Sequence, residues 1–230
     1  MKNAINADSR VIPAGGLVSK LRSSQRRRLL EAFGAFRKDA AEDSILDVGV
    51  MPIPLFDTKE YLSAWTSAKY RPRITSYKIA CPGGAVSHVR GERQSHCLPF
   101  ADNQFDWVYC GETVEHAGSF EQQYALVEEL ARVARKGVFV TTSNRRHPIE
   151  FHTALPFMHW LPSPWWRRAL ASLGRSGWAS ESVLNLLDGP ALYKIAGMLP
   201  GQPKHDVGHK RVFGMKAHFF LMIEKSSALS

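Results

Sequence analysis

The chain has 230 residues, of which 30 are Lys or Arg and 21 are Asp or Glu, giving a formal net charge of +9. This length suits one large domain with an appendage, and 44% hydrophobic with 22% charged residues argues against a disordered chain. The excess of positive charge favours anionic partners such as phosphates, nucleotides, nucleic acid or an acidic membrane surface.

The first predicted element is a basic amphipathic segment. Residues 17–38 place leucines and phenylalanines at roughly helical spacing, with lysine and arginines between them. The pattern predicts one or two helices within an N-terminal helical and basic segment, residues 1–40. A helix that covers the core and exposes a solvated basic face is favoured over one that binds nucleic acid.

Three strands and a helix are predicted next. Residues 45–50 and 74–79 have the apolar content and alternation of strands, and residues 85–89 are compatible with a third. Asp57 or Thr58 can cap a helix that follows the first strand.

Residues 98–118 read LPFADNQFDWVYCGETVEHAG and form the most informative stretch of the chain. A polar turn leads into an apolar run at 105–110, which stops at Gly111 and Glu112 and is followed by Glu115 and His116. This pattern is typical of a buried strand that delivers polar side chains to its carboxyl end, where open α/β sheets bind their ligands.

A capped helix and two further strands complete the predicted fold. Ser119 and Gln122 form a capping box for a helix that is expected to end at Gly137. Residues 138–142 are then a buried strand, and 217–224 a closing strand. Strands that alternate with helices at this spacing imply parallel pairing with right-handed crossovers.

Residues 44–144 resemble the class I S-adenosylmethionine-dependent methyltransferases, through SILDVGV, LPFAD, FDWVYCGE, VEH and LVEELARVARKGVFVTTSN. The resemblance implies a doubly wound α/β fold with a mostly parallel seven-stranded sheet and an antiparallel last strand. The Rossmann-like methyltransferase domain would span 41–230, with a cap insertion at about 145–178 after strand five. It also implies S-adenosylmethionine as the cofactor.

The resemblance also implies a set of cofactor-binding residues, and here the sequence departs from the family. The glycine-rich continuation after Gly49 is replaced by VMPIP, which cannot supply the same turns. Lys78 stands where an acidic residue usually meets the ribose, and Gln94 where an aspartate often faces the adenine. Binding through a rebuilt loop is favoured over weak or lost binding. The predicted residues are Asp47, Gly49, Val50, Lys78, Gln94, Leu98, Cys110, Gly111 and Glu112.

Catalytic candidates follow the predicted strands at 105–110 and 138–142. A hydroxyl or protonated amine acceptor needs a base, and His116 could either serve as one or cap its loop. The further candidates are His147, Glu150 and His152. His147 and His152 are five residues apart with Pro148 between them, which is not a helical metal-binding pair. Cys81, Cys97 and Cys110 form no CxxC or Cys/His pattern, so no metal is expected.

The segment 144–166 mixes arginines with aromatic residues. It could cap a small acceptor, rest on anionic lipid or complete the core. The expected function is methyl transfer to an oxygen or nitrogen of a small, lipid-linked or nucleotide-linked, anionic metabolite. The alternatives are a non-catalytic methyltransferase-like binding subunit and, ranked last, an RNA methyltransferase, since nucleic acid is not an expected partner. Without a signal-like or membrane-spanning apolar segment, a cytoplasmic location is expected.

Overall fold

A six-stranded mixed sheet organises the part of the chain that the computed structural model describes, residues 17–38, 42–50, 62, 73–79, 97–153 and 155–225. Its order is β2-β1-β3-β4-β6-β5. Strands β1 to β4 pair in parallel, and β6 runs antiparallel to both its neighbours. The strands are β1 Ile45–Val50, β2 Ile74–Ile79, β3 Phe105–Gly111, β4 Ala134–Ser143, β5 Lys204–Val212 and β6 Met215–Glu224.

The predicted α/β fold with an antiparallel last strand is confirmed. Seven strands were expected and six are described; β5 was not predicted. The expected strand at 85–89 and the helix capped at Asp57 or Thr58 lie outside the described residues.

The central strands are buried on both faces, as parallel strands covered by helices must be. All six residues of β1 are buried, and so are the first six of β3. The register pairs Val48 of β1 with Cys110 of β3, and Gly49 with Lys78 of β2. The carboxyl ends of these three strands therefore meet at one edge of the sheet.

Helices cover both faces of the sheet. Helix α1, Leu17–Phe36, confirms the predicted N-terminal helix, and its Phe33 contacts the rings of Tyr109 and Phe139 at centroid distances of 5.2 and 5.4 Å. Helix α2, Phe120–Val133, packs on the opposite face, and its predicted Ser119–Gln122 capping box is present. Since α1 closes one face, it belongs to the core of the fold.

Helix α2 ends earlier than predicted. It was expected to reach Gly137, but it stops at Val133 and Ala134 begins β4 by pairing with Phe105 of β3. Arg135 then reaches Asp106 across the strands. Sheet pairing and this ion pair therefore override the helical pattern of residues 134–136.

Residues 144–188, which follow β4 and are named the cap, contain short helices. The cap contains helix α3, Ser163–Ser172, and short 3-10 helices at Met158–Trp160 and Ser176–Trp178. Trp166, Leu170, Trp178 and Leu184 form a small core of their own there. Helix α4, Gly189–Gly197, then returns the chain to the sheet face that α2 covers. None of the helices in these described ranges has the length and apolarity needed to cross a membrane.

Candidate functional site

Asp47 is a buried acidic group on β1, near the carboxyl edge of the sheet. It is 2% exposed, and its Oδ2 accepts the backbone N–H of Leu62 at 3.0 Å. Burial raises its pKa to about 7, although the Leu62 hydrogen bond and the charge of Lys78 act in the opposite direction. A nearby cation would lower this raised pKa and stabilise the carboxylate.

The other predicted cofactor-binding residues divide into two groups. Gly49, Val50, Lys78 and Gly111 lie at the carboxyl ends of β1, β2 and β3, so the fold brings them to one edge. Leu98 and Cys110, by contrast, have side chains buried in the core beneath the sheet, so only their backbone groups are suited to a polar ligand. Gln94 lies outside the described residues.

Glu112 forms an ion network that the sequence did not reveal. Arg26 of α1 donates to its Oε2 through Nε and Nη2 at 3.1 and 3.0 Å. His218 of β6 places Nε2 3.2 Å from the other carboxylate oxygen. Glu112 adopts a positive φ of 47° directly after β3. Its carboxylate therefore links α1 to β6.

A buried cluster of Glu115, His116 and His152 follows the strand ends. Glu115 and His116 lie in the 3-10 helix Val114–His116 directly after β3, while His152 comes from the cap. The three side chains are 0–3% exposed, and their ligand atoms lie within 4.8 Å of one another. Trp178 covers the two imidazoles, with ring centroids 6.5 Å from His116 and 5.7 Å from His152.

Each histidine of this cluster is oriented by an acceptor at Nδ1. His116 Nδ1 lies 2.6 Å from the carbonyl oxygen of Val183, and His152 Nδ1 lies 2.7 Å from Glu150 Oε1. Glu150 is fixed in turn by the backbone N–H and hydroxyl of Thr153 at 2.5 and 2.6 Å. Since a carbonyl oxygen can only accept, neutral His116 carries its proton on Nδ1 and directs the Nε2 lone pair into the cluster.

The pKa values of Glu150, Glu115 and His116 are shifted in different directions. Burial would raise the pKa of Glu150, but the charge and hydrogen bonds of His152, with those of Thr153, bring it down to about 2. Burial raises the pKa of Glu115 to about 7, with His152 opposing the shift. Burial, assisted by His152, lowers the pKa of His116 to about 3. His116 is therefore a neutral imidazole at neutral pH.

The structure thus brings together three of the four predicted catalytic candidates, His116, Glu150 and His152. The fourth, His147, is also buried but stacks on Phe151 at a centroid distance of 5.0 Å. Glu115 was not predicted as a site residue. The sequence marks it by its place shortly after a buried strand, next to His116.

Residues 58–141 match the family model described as "Methyltransferase domain". This part of the chain is similar to a methyltransferase domain. The match includes β2, β3, α2 and most of β4, together with the glutamate and histidine that follow β3. It confirms the predicted family, and with it the predictions that the chain is an S-adenosylmethionine-dependent methyltransferase and that S-adenosylmethionine is its cofactor.

Several solved structures resemble this methyltransferase domain. A Thermotoga maritima protein described as a possible histamine N-methyltransferase is 12% identical, with a TM-score of 0.47, covering 91% of this chain and 98% of that one. Magnesium protoporphyrin IX methyltransferase from Synechocystis PCC 6803 is also 12% identical, with a TM-score of 0.47 and coverages of 92% and 88%.

A small RNA methyltransferase is 14% identical, with a TM-score of 0.45, and covers 87% of this chain but 25% of its own. At such identities and TM-scores, these likenesses do not indicate a substrate. Comparison with curated proteins gave no significant match.

The residues at the sheet edge fit the cofactor of such a domain. S-adenosylmethionine carries an ammonium and a sulfonium group, and Asp47 is a buried carboxyl group whose raised pKa a neighbouring cation would lower. The cofactor supplies an activated methyl group, so the chain must mainly bind it, align an acceptor and exclude water. Asp47, Gly49 and Gly111 are the described residues best placed to hold it.

Proposed function

We propose that this methyltransferase transfers a methyl group from S-adenosylmethionine to an oxygen or nitrogen of a small, anionic metabolite. The observation that supports it most is the buried Glu115, His116 and His152 cluster beside the strand ends that would hold the cofactor. A hydroxyl or protonated amine must lose a proton on methylation, and this cluster supplies the groups that can assist its removal.

An arginine-lined cleft in the cap supports an anionic acceptor. Arg145 and Arg167 line it together with Trp166 and Asn185, and its enclosed space of about 10 Å³ holds about one water-sized group. The lining side chains must therefore move before an acceptor group enters. The two guanidinium groups favour an anionic group there, such as a phosphate.

Calorimetry with S-adenosylmethionine and its demethylated product tests the first half of this proposal. We expect binding of both ligands by the purified protein. An extract of small metabolites incubated with methyl-labelled S-adenosylmethionine should then yield a labelled small product. No heat at millimolar ligand would favour the non-catalytic binding subunit, and label that ribonuclease removes would favour the RNA methyltransferase.

Arginine variants test the acceptor class. We expect Arg145→Ala and Arg167→Ala to raise the KM for a phosphorylated acceptor about tenfold, since each removes a charge-assisted contact, with little change in cofactor affinity. Arg146→Ala is the matched control, because Arg146 pairs with Asp188 at 2.9 Å and does not line the cleft. An equal KM in all three variants would show that the cleft does not bind the acceptor.

An exposed apolar surface on the cap supports a lipid-linked acceptor as a second candidate. Between residues 157 and 173 several large apolar side chains are 40–66% exposed: Phe157, Trp160, Leu161, Trp165 and Leu173. Residues 151–180 contain three arginines and no acidic residue. Aromatic and leucine side chains beside arginines are suited to the interface of an anionic bilayer.

Vesicle binding tests this second candidate. We expect wild-type protein to sediment with anionic phosphatidylglycerol vesicles but not with neutral phosphatidylcholine vesicles. Trp165→Ala should weaken that binding several-fold, whereas Phe213→Ala should not, although Phe213 is 67% exposed in the turn between β5 and β6. Equal losses in both variants would mean that the cap is not the membrane-facing surface.

A further inference from the structure

The cluster of Glu115, His116 and His152 has the composition of a metal site. It offers one carboxylate and two imidazoles, the set of protein ligands that catalytic zinc sites often use, with a fourth position left for water or substrate. The ligand atoms lie within 4.8 Å of one another. Around a tetrahedral zinc ion, with bonds of about 2.0–2.2 Å, they would be roughly 3.3–3.5 Å apart. Side-chain movements of about 1 Å would close the site.

The hydrogen bonds around the two histidines are those that metal ligands require. Histidines that bind metals usually donate their other ring N–H to a carbonyl or carboxylate, which fixes the tautomer and the ring plane. Here the Nδ1 atoms of His116 and His152 lie 2.6 Å from Val183 O and 2.7 Å from Glu150 Oε1. The Nε2 atoms of both rings are therefore oriented as ligands, and Glu150 supports the site from outside it.

Glu115 provides an independent observation. Its side chain is fully buried, and within the described residues its Oε2 accepts no hydrogen bond. The other oxygen, Oε1, accepts the Ser143 N–H at 3.3 Å and lies 3.8 Å from His152 Nε2. A buried carboxylate with so few partners is costly unless a cation compensates it. The uncompensated oxygen belongs to the same cluster as the two oriented imidazoles.

We propose that Glu115, His116 and His152 bind a divalent transition-metal ion, with zinc as the best match, and that Glu150 positions His152 as a ligand. Magnesium fits less well, because it prefers oxygen ligands and keeps several waters, whereas imidazole suits zinc and its neighbours. This goes beyond the sequence, whose histidine spacing gave no sign of a metal site.

The metal also narrows the proposed function, on which this step rests. A divalent ion lowers the pKa of a hydroxyl bound to it and holds that hydroxyl in place. The acceptor is then a hydroxyl compound. Its proton passes to water, its oxygen forms a bond to the methyl carbon as the methyl C–S bond of S-adenosylmethionine breaks, and the products are an ether and the demethylated cofactor. The alternative reading of the cluster is a metal-free base, in which His152 bridges Glu150 and Glu115.

Metal content tests the site independently of methyl transfer. Untagged protein, purified without chelators, should contain about one zinc or related ion per chain by plasma mass spectrometry. After chelation, Co²⁺ should restore one equivalent and give the visible absorption of tetrahedral cobalt. Wild-type protein that takes up no Co²⁺ or Zn²⁺ at micromolar concentrations would overturn the proposal.

Variants locate the ion. Glu115→Gln and His152→Gln should reduce the bound metal below about one tenth of an equivalent, and Glu150→Gln should weaken Co²⁺ binding about 10–100-fold, as loss of an outer partner does. Glu128→Gln and His205→Gln make the same chemical changes away from the cluster and should keep full metal content. Loss of metal in these controls, or its retention in Glu115→Gln, would contradict the assignment.

Two further measurements separate the metal proposal from the proposed function. Circular dichroism and calorimetry with S-adenosylmethionine report whether each variant is folded and still binds the cofactor. Methyl transfer by fully metal-free protein would leave the proposed function intact and refute a role of the metal in it, while the metal-content measurement still decides whether the cluster binds an ion. Full metal occupancy without transfer to any hydroxyl acceptor would leave the site intact and refute the function. If the variants fail to fold, the wild-type metal content and cobalt spectrum still decide.

Discussion

At the amino ends of the parallel strands, several hydrogen-bond donors contact the Asp106 carboxylate. At the carboxyl ends, Asp47 and Glu115 are buried and accept few hydrogen bonds. Asp106 accepts hydrogen bonds from the backbone N–H and hydroxyl of Ser44, both at 3.0 Å, and from Arg135 Nε at 3.0 Å. Asp47 accepts the N–H of Leu62, and Glu115 that of Ser143. A buried carboxylate is thus stabilised by donors at the amino edge of the sheet. At the carboxyl edge, few donors offset the free-energy cost of burying it.

The pKa values express this contrast. Burial would raise the pKa of Asp106, but the hydrogen bonds from Arg135 and Ser44 outweigh it and lower the pKa to about 2. For Asp47 and Glu115 burial dominates, and both pKa values rise to about 7. Groups with raised pKa values concentrate at functional sites because a ligand can supply the missing charge. The amino edge therefore stabilises the fold, while the carboxyl edge is suited to cationic ligands.

The largest expected effect comes from Asp47→Asn. The asparagine can still accept the Leu62 N–H but removes the buried acid, so the free energy of unfolding at pH 8 should rise by up to roughly 4 kcal/mol. Affinity for S-adenosylmethionine should fall about tenfold or more, since a buried charge opposite the cofactor is lost. Urea denaturation and calorimetry measure the two quantities.

The pH dependence of the same variant is its control. Because the folded-state pKa of Asp47 is raised, folding takes up a proton between about pH 4 and pH 7, and wild-type stability falls as pH rises through that range. The difference between wild type and Asp47→Asn should therefore shrink steadily from pH 7 to pH 4. A variant less stable than wild type at pH 8 would show that a cation of the protein already pairs with Asp47.

Local sequence patterns predicted most of the helices and strands around Asp106, Asp47 and Glu115, but not the contacts between them. The apolar run of β3 and the Ser119 capping box are short-range signals, and both elements were found. Strand β5 was missed because KHDVGHKRV has little apolar content, as an edge strand with mostly half-exposed residues requires. The early end of α2 depends on Ala134 pairing with Phe105, which its own sequence does not reveal.

The candidate site was predictable where it follows a strand and unpredictable where it depends on distant chain segments. His116 stood out because it follows β3 directly. His218 lies in the middle of β6 and meets Glu112 only because β6 pairs with β4 in a register that places it opposite Ser143. Arg26 reaches the same carboxylate from α1, 86 residues away. Such long-range partners follow from the packing of α1 and β6.

The second prediction tests the amino edge. Asp106→Ala should lower the free energy of unfolding by about 2–3 kcal/mol, because it removes charge-assisted hydrogen bonds and leaves the donors of Ser44 unsatisfied in a partly buried place. Affinity for S-adenosylmethionine should change less than twofold. The midpoint of urea denaturation at constant slope measures the loss. A stability loss under 0.5 kcal/mol, or a cofactor defect like that of Asp47→Asn, would remove the distinction between the two edges.

The smallest expected effect is the loss of stability at low pH that protonation of Asp106 causes. Its folded-state pKa is lowered to about 2 from an ordinary 3.8, so its contribution is complete above about pH 4 and is lost as pH falls toward 2. We expect this loss to be about 1–2 kcal/mol, since Arg135 is 62% exposed and water screens the pair. In Asp106→Asn, the free energy of unfolding between pH 4 and pH 2 should fall by that much less than in wild type. Equal slopes in the two proteins would mean that Arg135 and Ser44 together do not lower the pKa of Asp106.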